Sequence, residues 1–249
     1  MFSYQNMKLK NGNHQLAFCR QHGKKPYMVF LSGYRSDMQG SKAQALAAHA
    51  GELEHGFLLF DYHGHGQSDG NFLEGTIGGW LADTLFMLNE LSENVVLVGS
   101  SMGGWLALLA ALAKPQQIKG VVTIAAAPDF THRLLPHRLT TAQKNTMMEE
   151  GVVYLPSAYD DSKMPFTRKL VEEANSHLLL DKPIPLHCPI HMLQGCRDED
   201  VPFQHALKIM EKLPATQTRL TLIGDGDHRL SRPQDIDLLK QAVTELLYT

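Results

Sequence analysis

Asn94-Val-Val-Leu-Val-Gly-Ser-Ser101-Met-Gly-Gly-Trp-Leu-Ala-Leu-Leu-Ala-Ala-Leu-Ala113 decides the fold. A β-branched apolar run leads into a Gly-x-Ser-x-Gly turn, and an apolar run of helix formers follows. That is the strand–turn–helix order of a nucleophile elbow. Gly99 and Gly103 let the helix pack close to the strand, which pushes Ser101 out at the strand's carboxyl end. There it meets the free N–H groups and positive dipole end of the new helix, both suited to a developing anion. A second match, Gly66-Gln67-Ser68-Asp69-Gly70, lies among turn formers with no helix directly after it. Ser68 therefore reads as a loop residue and Ser101 as the nucleophile.

Outward from the elbow, short apolar runs recur at Tyr27–Leu31, Gly56–Phe60, Gly120–Ile124, Ile190–Leu193 and Leu220–Ile223. Their continuous apolar character suits parallel strands buried on both faces. Helical stretches lie between them at Ser41–Leu53, around Ile77–Leu91, at Phe203–Leu213 and at Gln234–Leu247. The alternation predicts a mostly parallel, twisted sheet with helices on both faces. A hairpin signal, Asn11-Gly12, separates loosely alternating residues at 4–10 and 14–21. Between Pro128 and Pro189 the rhythm stops, with helical pieces and no clear strand. Residues 129–182 are expected to form a small helical lid, because an insertion after a strand's carboxyl end falls over the ligand crevice. Its apolar residues (Leu134, Leu135, Leu139, Met147, Met148, Val152, Tyr154, Phe166 and Leu170) either seat the lid or line an acyl pocket. Its basic residues Arg133, Arg138, Lys144, Lys163 and Arg168 face solvent or an anionic leaving group such as glucuronate.

A serine hydroxyl needs a base beside it and a carboxylate to orient that base. In this fold type they follow in the order Ser, Asp, His on loops after late strands. The loop after Ile190–Gly195 carries Asp198 and Asp200, and the loop after Leu220–Gly224 carries His228. His228 is the expected base; His205, the nearest rival among 13 histidines, falls inside a predicted helix. Asp198 is favoured as the acid because it comes earlier in its loop, with Asp200 the alternative. Asp225 and Asp227 lie too near His228 in sequence for that role and shape its turn. The oxyanion hole is expected from two backbone N–H groups, those of Met102 and of Tyr34 in the loop after Tyr27–Leu31. His63 and His65 alternate in a Gly-rich loop, but no third ligand has a recognisable spacing, so a hydrogen-bonded loop is expected there rather than a metal site. No Walker or dinucleotide fingerprint occurs, and neither metal nor organic cofactor is implied.

The chain has 249 residues, 43% hydrophobic and 20% charged, with a net charge of −3. These values fit one α/β domain and give no electrostatic footprint for nucleic acid. No apolar run is long enough to span a bilayer. Three cysteines, odd in number and not clustered, read as the reduced thiols of a cytosolic protein. The opening residues show neither a signal-peptide core nor an Arg-rich transit pattern, so a cytoplasmic location is expected. The sequence leaves the oligomeric state open.

Over nearly its whole length the chain resembles the α/β-hydrolase superfamily. The stretches Gly33–Ala43, Asp61–Gly70, Gly99–Trp105, Leu155–Tyr159 and Pro183–Ile190 resemble one subgroup within it. That subgroup includes the animal mitochondrial palmitoyl-protein thioesterase also described as an acyl-glucuronide esterase. The resemblance implies that Ser101, Asp198 and His228 are nucleophile, acid and base. It also implies hydrolysis of a carboxylic ester or thioester on a small-molecule or acyl-protein substrate. Two other readings use the same residues: a C–C hydrolase or perhydrolase with this triad, and a non-catalytic binder that keeps the fold.

Overall fold

Residues two apart on a strand share a face, and the strands of this protein use both faces fully. In the computed structural model, which describes residues 7–12, 14–157, 161–214 and 217–249, this produces two apolar layers around one sheet. The strands are β1 (Met7–Asn11), β2 (His14–Gln21), β3 (Lys24–Leu31), β4 (His55–Phe60), β5 (Val95–Ser100), β6 (Ile118–Ile124), β7 (Val152–Pro156), β8 (Lys163–Thr167), β9 (Ile190–Gly195) and β10 (Thr218–Ile223). The helices are α1 (Ser41–Glu52), α2 (Ile77–Leu91), α3 (Met102–Ala113), α4 (Phe130–Arg133), α5 (Leu135–Arg138), α6 (Thr141–Glu150), α7 (Arg168–Ala174), α8 (Phe203–Lys212) and α9 (Pro233–Leu247).

Eight strands form the main sheet in the order β1-β2-β4-β3-β5-β6-β9-β10. β2 pairs antiparallel with β1 and β4, and the pairings from β4 to β10 are parallel. Met28 and Phe30 of β3 face α1 and α9, whereas Val29 and Leu31 face α2, α3 and α8. On α1 the buried residues Ala43, Leu46, Ala47 and Ala50 fall at helical spacing on one stripe. α3 is buried almost all round, as its composition requires. From β3 the chain runs outward to β4 and then returns to β5 on the other side of β3. That reversal opens a crevice at the carboxyl ends of β3 and β5, where doubly wound sheets bind ligands.

The segment between β6 and β9 is not wholly helical. α4, α5 and α6 are followed by an antiparallel hairpin, β7–β8, which stands apart from the main sheet. Its prolines hide it from a sequence reading: β7 ends at Pro156, β8 contains Pro165, and proline demotes a strand. Leu135, Leu139, Met147, Val153, Leu155 and Phe166 give the segment a small core of its own. The buried carboxylate of Asp129 anchors it, accepting the N–H groups of Leu179 and Leu180 at 2.8 Å each. Ala158 and Tyr159 of the Leu155–Tyr159 motif, and residues 4–6 of the first expected strand, lie outside the described residues.

Backbone meets backbone very closely at the start of α3. A Cβ on Gly103 would stand 2.1 Å from the Leu31 carbonyl oxygen, and one on Gly99 would stand 2.2 Å from that of Gly103. Gly103→Ala is therefore expected to cost about 3 kcal/mol or more in urea unfolding, because backbone cannot yield as a side chain does. At Gly224 an added Cβ meets nothing within 4 Å, and Gly224→Ala should lie within about 0.5 kcal/mol of wild type.

Candidate active site

Close packing of α3 on β3 and β5 leaves Ser101 in a strained backbone conformation, φ 53° and ψ −117°. Strain of this kind persists only where the surroundings over-determine it. They do so here: the Ser101 N–H donates to the Ile124 carbonyl at 2.8 Å, and its own carbonyl accepts from Gly104 and Ala127. The hydroxyl is thereby held at the mouth of the crevice.

The loops after β9 and β10 meet it there. His228 Nε2 lies 3.1 Å from Ser101 Oγ, and His228 Nδ1 lies 2.8 Å from Asp198 Oδ2. An ionised carboxylate can only accept, so Nδ1 carries the proton and Nε2 is left to accept from the serine hydroxyl. The Asp198 side chain is fully buried. Its Oδ1 accepts the N–H groups of Asp200 and Val201 at 3.0 and 2.8 Å, which locks the carboxylate's orientation. Gln194, buried near the end of β9, donates to Asp198 Oδ2 at 3.0 Å and to the Val201 carbonyl at 3.0 Å. Sequence reasoning passed over Gln194. The available signal was a lone amide side chain in a mostly apolar strand.

The other candidates lie elsewhere. Asp200 pairs with Arg138 of α5 at 2.9 Å, and His205 Nε2 lies 2.8 Å from the Pro128 carbonyl oxygen. Asp225 pairs with Arg232, and Asp227 Oδ1 accepts the Leu230 N–H at 2.9 Å, which closes the turn after His228. Ser68 donates to the Asp61 carbonyl at 2.6 Å and accepts the Ala17 N–H at 2.8 Å. Its hydroxyl fastens a loop. His63 Nδ1 sits 2.6 Å from Asp83, and its ring stacks on His14. His65 is wedged against Tyr62, Phe72 and Trp80, and burial pushes its pKa down to about 4. Among the described residues no group of three or more His, Cys, Asp or Glu side chains is arranged to hold a metal ion.

A cavity of about 390 Å³ opens over Ser101 and His228, within the usual size range of small-molecule sites. Tyr34, Phe130, Leu134, Leu135, Met164 and Phe166 supply apolar wall, while Arg35, Asp37, Lys42, Arg229 and Ser231 supply polar wall. Of the apolar residues flagged between 129 and 182, Leu134, Leu135 and Phe166 reach the cavity. Leu139 and Met147 stay in the segment's own core, Leu170 packs into the main core, and Met148 and Tyr154 are exposed. Met102 and Tyr34 both line the cavity.

Lys42 is a second residue that sequence reasoning missed. Its ammonium donates to the Arg229 carbonyl at 2.6 Å and to Ser231 Oγ at 3.2 Å, bracing the chain just beyond His228. Burial, reinforced by the Arg229 charge, pushes its pKa down to about 8.

The pattern described as the alpha/beta hydrolase family matches residues 28–237, and the chain belongs to that family. It is 38% identical over 236 residues to the mouse protein named palmitoyl-protein thioesterase ABHD10, mitochondrial, covering 93% of this chain and 78% of that one. The human protein of the same name is 36% identical over 234 residues, covering 93% and 76%. Among solved structures, a chain from Agrobacterium vitis S4 superposes with a TM-score of 0.94 at 40% identity, covering 98% of each chain. Mouse alpha/beta hydrolase domain-containing protein 10 superposes with a TM-score of 0.89 at 36% identity, covering 96% of this chain and 97% of that one. The cytoplasmic expectation is corrected by these relatives, which are named mitochondrial. Reduced thiols had supported the cytoplasm as well, yet Cys19, Cys188 and Cys196, none of them in a disulfide, report only redox surroundings. Among the described residues no helix is long and apolar enough to cross a membrane.

The depressed Lys42 pKa fixes the sign of a pH effect. Between about 8 and 10.5 the unfolded chain holds a proton at Lys42 that the folded chain has released, so this group's contribution to stability rises with pH across that window. Urea titrations should show wild type gaining on Lys42→Met between pH 8 and pH 10. A constant difference between the two would contradict it.

Proposed function

We propose that the protein is a serine esterase or thioesterase working through an acyl-enzyme. The observation that carries this reading is the hydrogen-bonded line from Ser101 through His228 to the buried Asp198. As His228 Nε2 takes the hydroxyl proton, Ser101 Oγ attacks the acyl carbon. The carbonyl oxygen becomes an oxyanion facing the N–H groups of Met102 and Tyr34, donors of a kind worth on the order of 3 kcal/mol each. His228 returns the proton to the departing alcohol or thiol, leaving the acyl group on Ser101. Water then attacks that ester while His228 again takes a proton, and Ser101 leaves as the free hydroxyl. Asp198 holds the imidazole in the required tautomer throughout. The cycle calls on no metal or organic cofactor.

The cavity's mixed lining supports a division of labour. The acyl chain lies against Phe130, Leu134, Leu135, Met164 and Phe166, and a polar leaving group lies toward Arg35, Lys42 and Arg229. Segment 129–182 acts as a lid over the acyl side. A thioester- or ester-linked acyl group fits both the cavity and the relatives' name. The leaving group is a protein thiol or a small polar alcohol such as glucuronate.

A fluorophosphonate probe tests the nucleophile. Wild type and Ser68→Ala should be labelled, and Ser101→Ala should not. No labelling of wild type would favour a binder that keeps the fold. The acid is tested by kinetics on a p-nitrophenyl ester. Asp198→Asn should lower kcat by about 10⁴-fold, whereas Asp200→Asn should stay within a few-fold of wild type. Comparable losses at both positions would overturn the assignment.

A further inference from the structure

Two consecutive residues of the loop after β3 hold the β8 strand of the hairpin. The Tyr34 hydroxyl donates to the Pro165 carbonyl at 2.5 Å, and the Arg35 guanidinium donates to the Lys163 carbonyl at 2.5 Å. Lys163 and Pro165 are two apart on β8, so their carbonyls point to the same edge. Among the described residues β8 pairs only with β7, which leaves that edge without a strand partner there, and the loop takes the place a further strand would fill. The Tyr34 ring stacks on Phe166, 5.2 Å between centroids and 8° from parallel, while its edges meet Phe72 and Trp80 of the main body. Arg35 holds a left-handed backbone, φ 57°, immediately after Tyr34. The side chain seated on the hairpin thus belongs to the same residue whose N–H is proposed, with that of Met102, to face the oxyanion.

We propose that Tyr34 is a positioning residue that ties the oxyanion hole to the hairpin. Its hydroxyl and ring fix the loop against β8, so the placement of its own N–H depends on how the hairpin is seated. Phe166 and Met164 line the acyl side of the cavity, and a chain bound there presses on the strand that Tyr34 grips. This inference rests on the serine-hydrolase reading above.

The test compares wild type, Tyr34→Phe and Arg35→Ala on p-nitrophenyl acetate and p-nitrophenyl decanoate, with inhibition by a small alkylboronic acid measured in parallel. An acetyl group fills far less of the cavity than a decanoyl chain, so a residue that merely shapes the acyl pocket would act chiefly on decanoate turnover. A positioning role predicts that Tyr34→Phe lowers kcat by about 10-fold on both esters with KM within twofold. That is a partial loss beside the 10²–10³-fold cost of deleting an oxyanion donor outright. Boronate affinity should fall by a similar factor, since the boronate mimics the tetrahedral oxyanion. Arg35→Ala removes the other tether from an exposed side chain; it should weaken the boronate, which has no leaving group for Arg35 to meet, in the same direction, and that affinity decides the matter if Tyr34→Phe does not fold. Wild-type kcat on acetate in folded Tyr34→Phe, wild-type boronate affinity in Arg35→Ala, or an effect confined to KM for decanoate would overturn the proposal and leave the hydrolase reading intact. An inactive, unlabelled wild type would overturn both.

Discussion

Everything at the crevice follows from how closely one helix can approach two strands. The first turn of α3 rests on the backbone of β3 so tightly that the Leu31 carbonyl oxygen occupies the place where a side chain at position 103 would begin. The chain can leave β5 and enter α3 at that distance only by bending sharply at Ser101, which accepts a backbone that L-residues rarely adopt. The bend aims the hydroxyl outward and sets the start of α3 beneath it, with N–H groups that have no intrahelical partner. Close packing, strain and the polarity of a helix terminus are therefore one feature described three ways.

The sheet topology brings the remaining parts to that point. Because the strand order reverses across β3, the loop after β3 and the elbow after β5 open into the same crevice. β9 and β10 deliver their loops from the far side, where a buried carboxylate with four hydrogen-bond donors around it faces an imidazole. Asp198 is held by backbone N–H groups and an amide, not by a cation. Arg138, the nearby guanidinium, is engaged by Asp200.

How much of this was legible in the sequence depended on how local its cause was. The elbow is a local pattern, and its continuous apolar strand and helix distinguished it from the look-alike around Ser68. The order of the late loops brought Asp198 and His228 forward because strand ends are readable from apolar runs. Choosing between Asp198 and Asp200 needed the fold, since the partner that occupies Asp200 comes from residue 138. The β7–β8 hairpin was hidden by its prolines and stands through contacts with distant residues such as Tyr34. Gln194 and Lys42 were equally out of reach, because each acts on chain brought to it by tertiary packing. The compartment was misread for a different reason: free thiols are compatible with more than one location.

Rapid-quench mass spectrometry on a slowly deacylating ester would test the central claim most directly. Digestion and fragmentation at the burst phase should find one acyl group per chain, carried on Ser101, and its accumulation should vanish in a His228→Asn variant. An acyl group on Cys196 or Ser68, or turnover with no covalent species while product forms, would contradict a mechanism built on the strained serine.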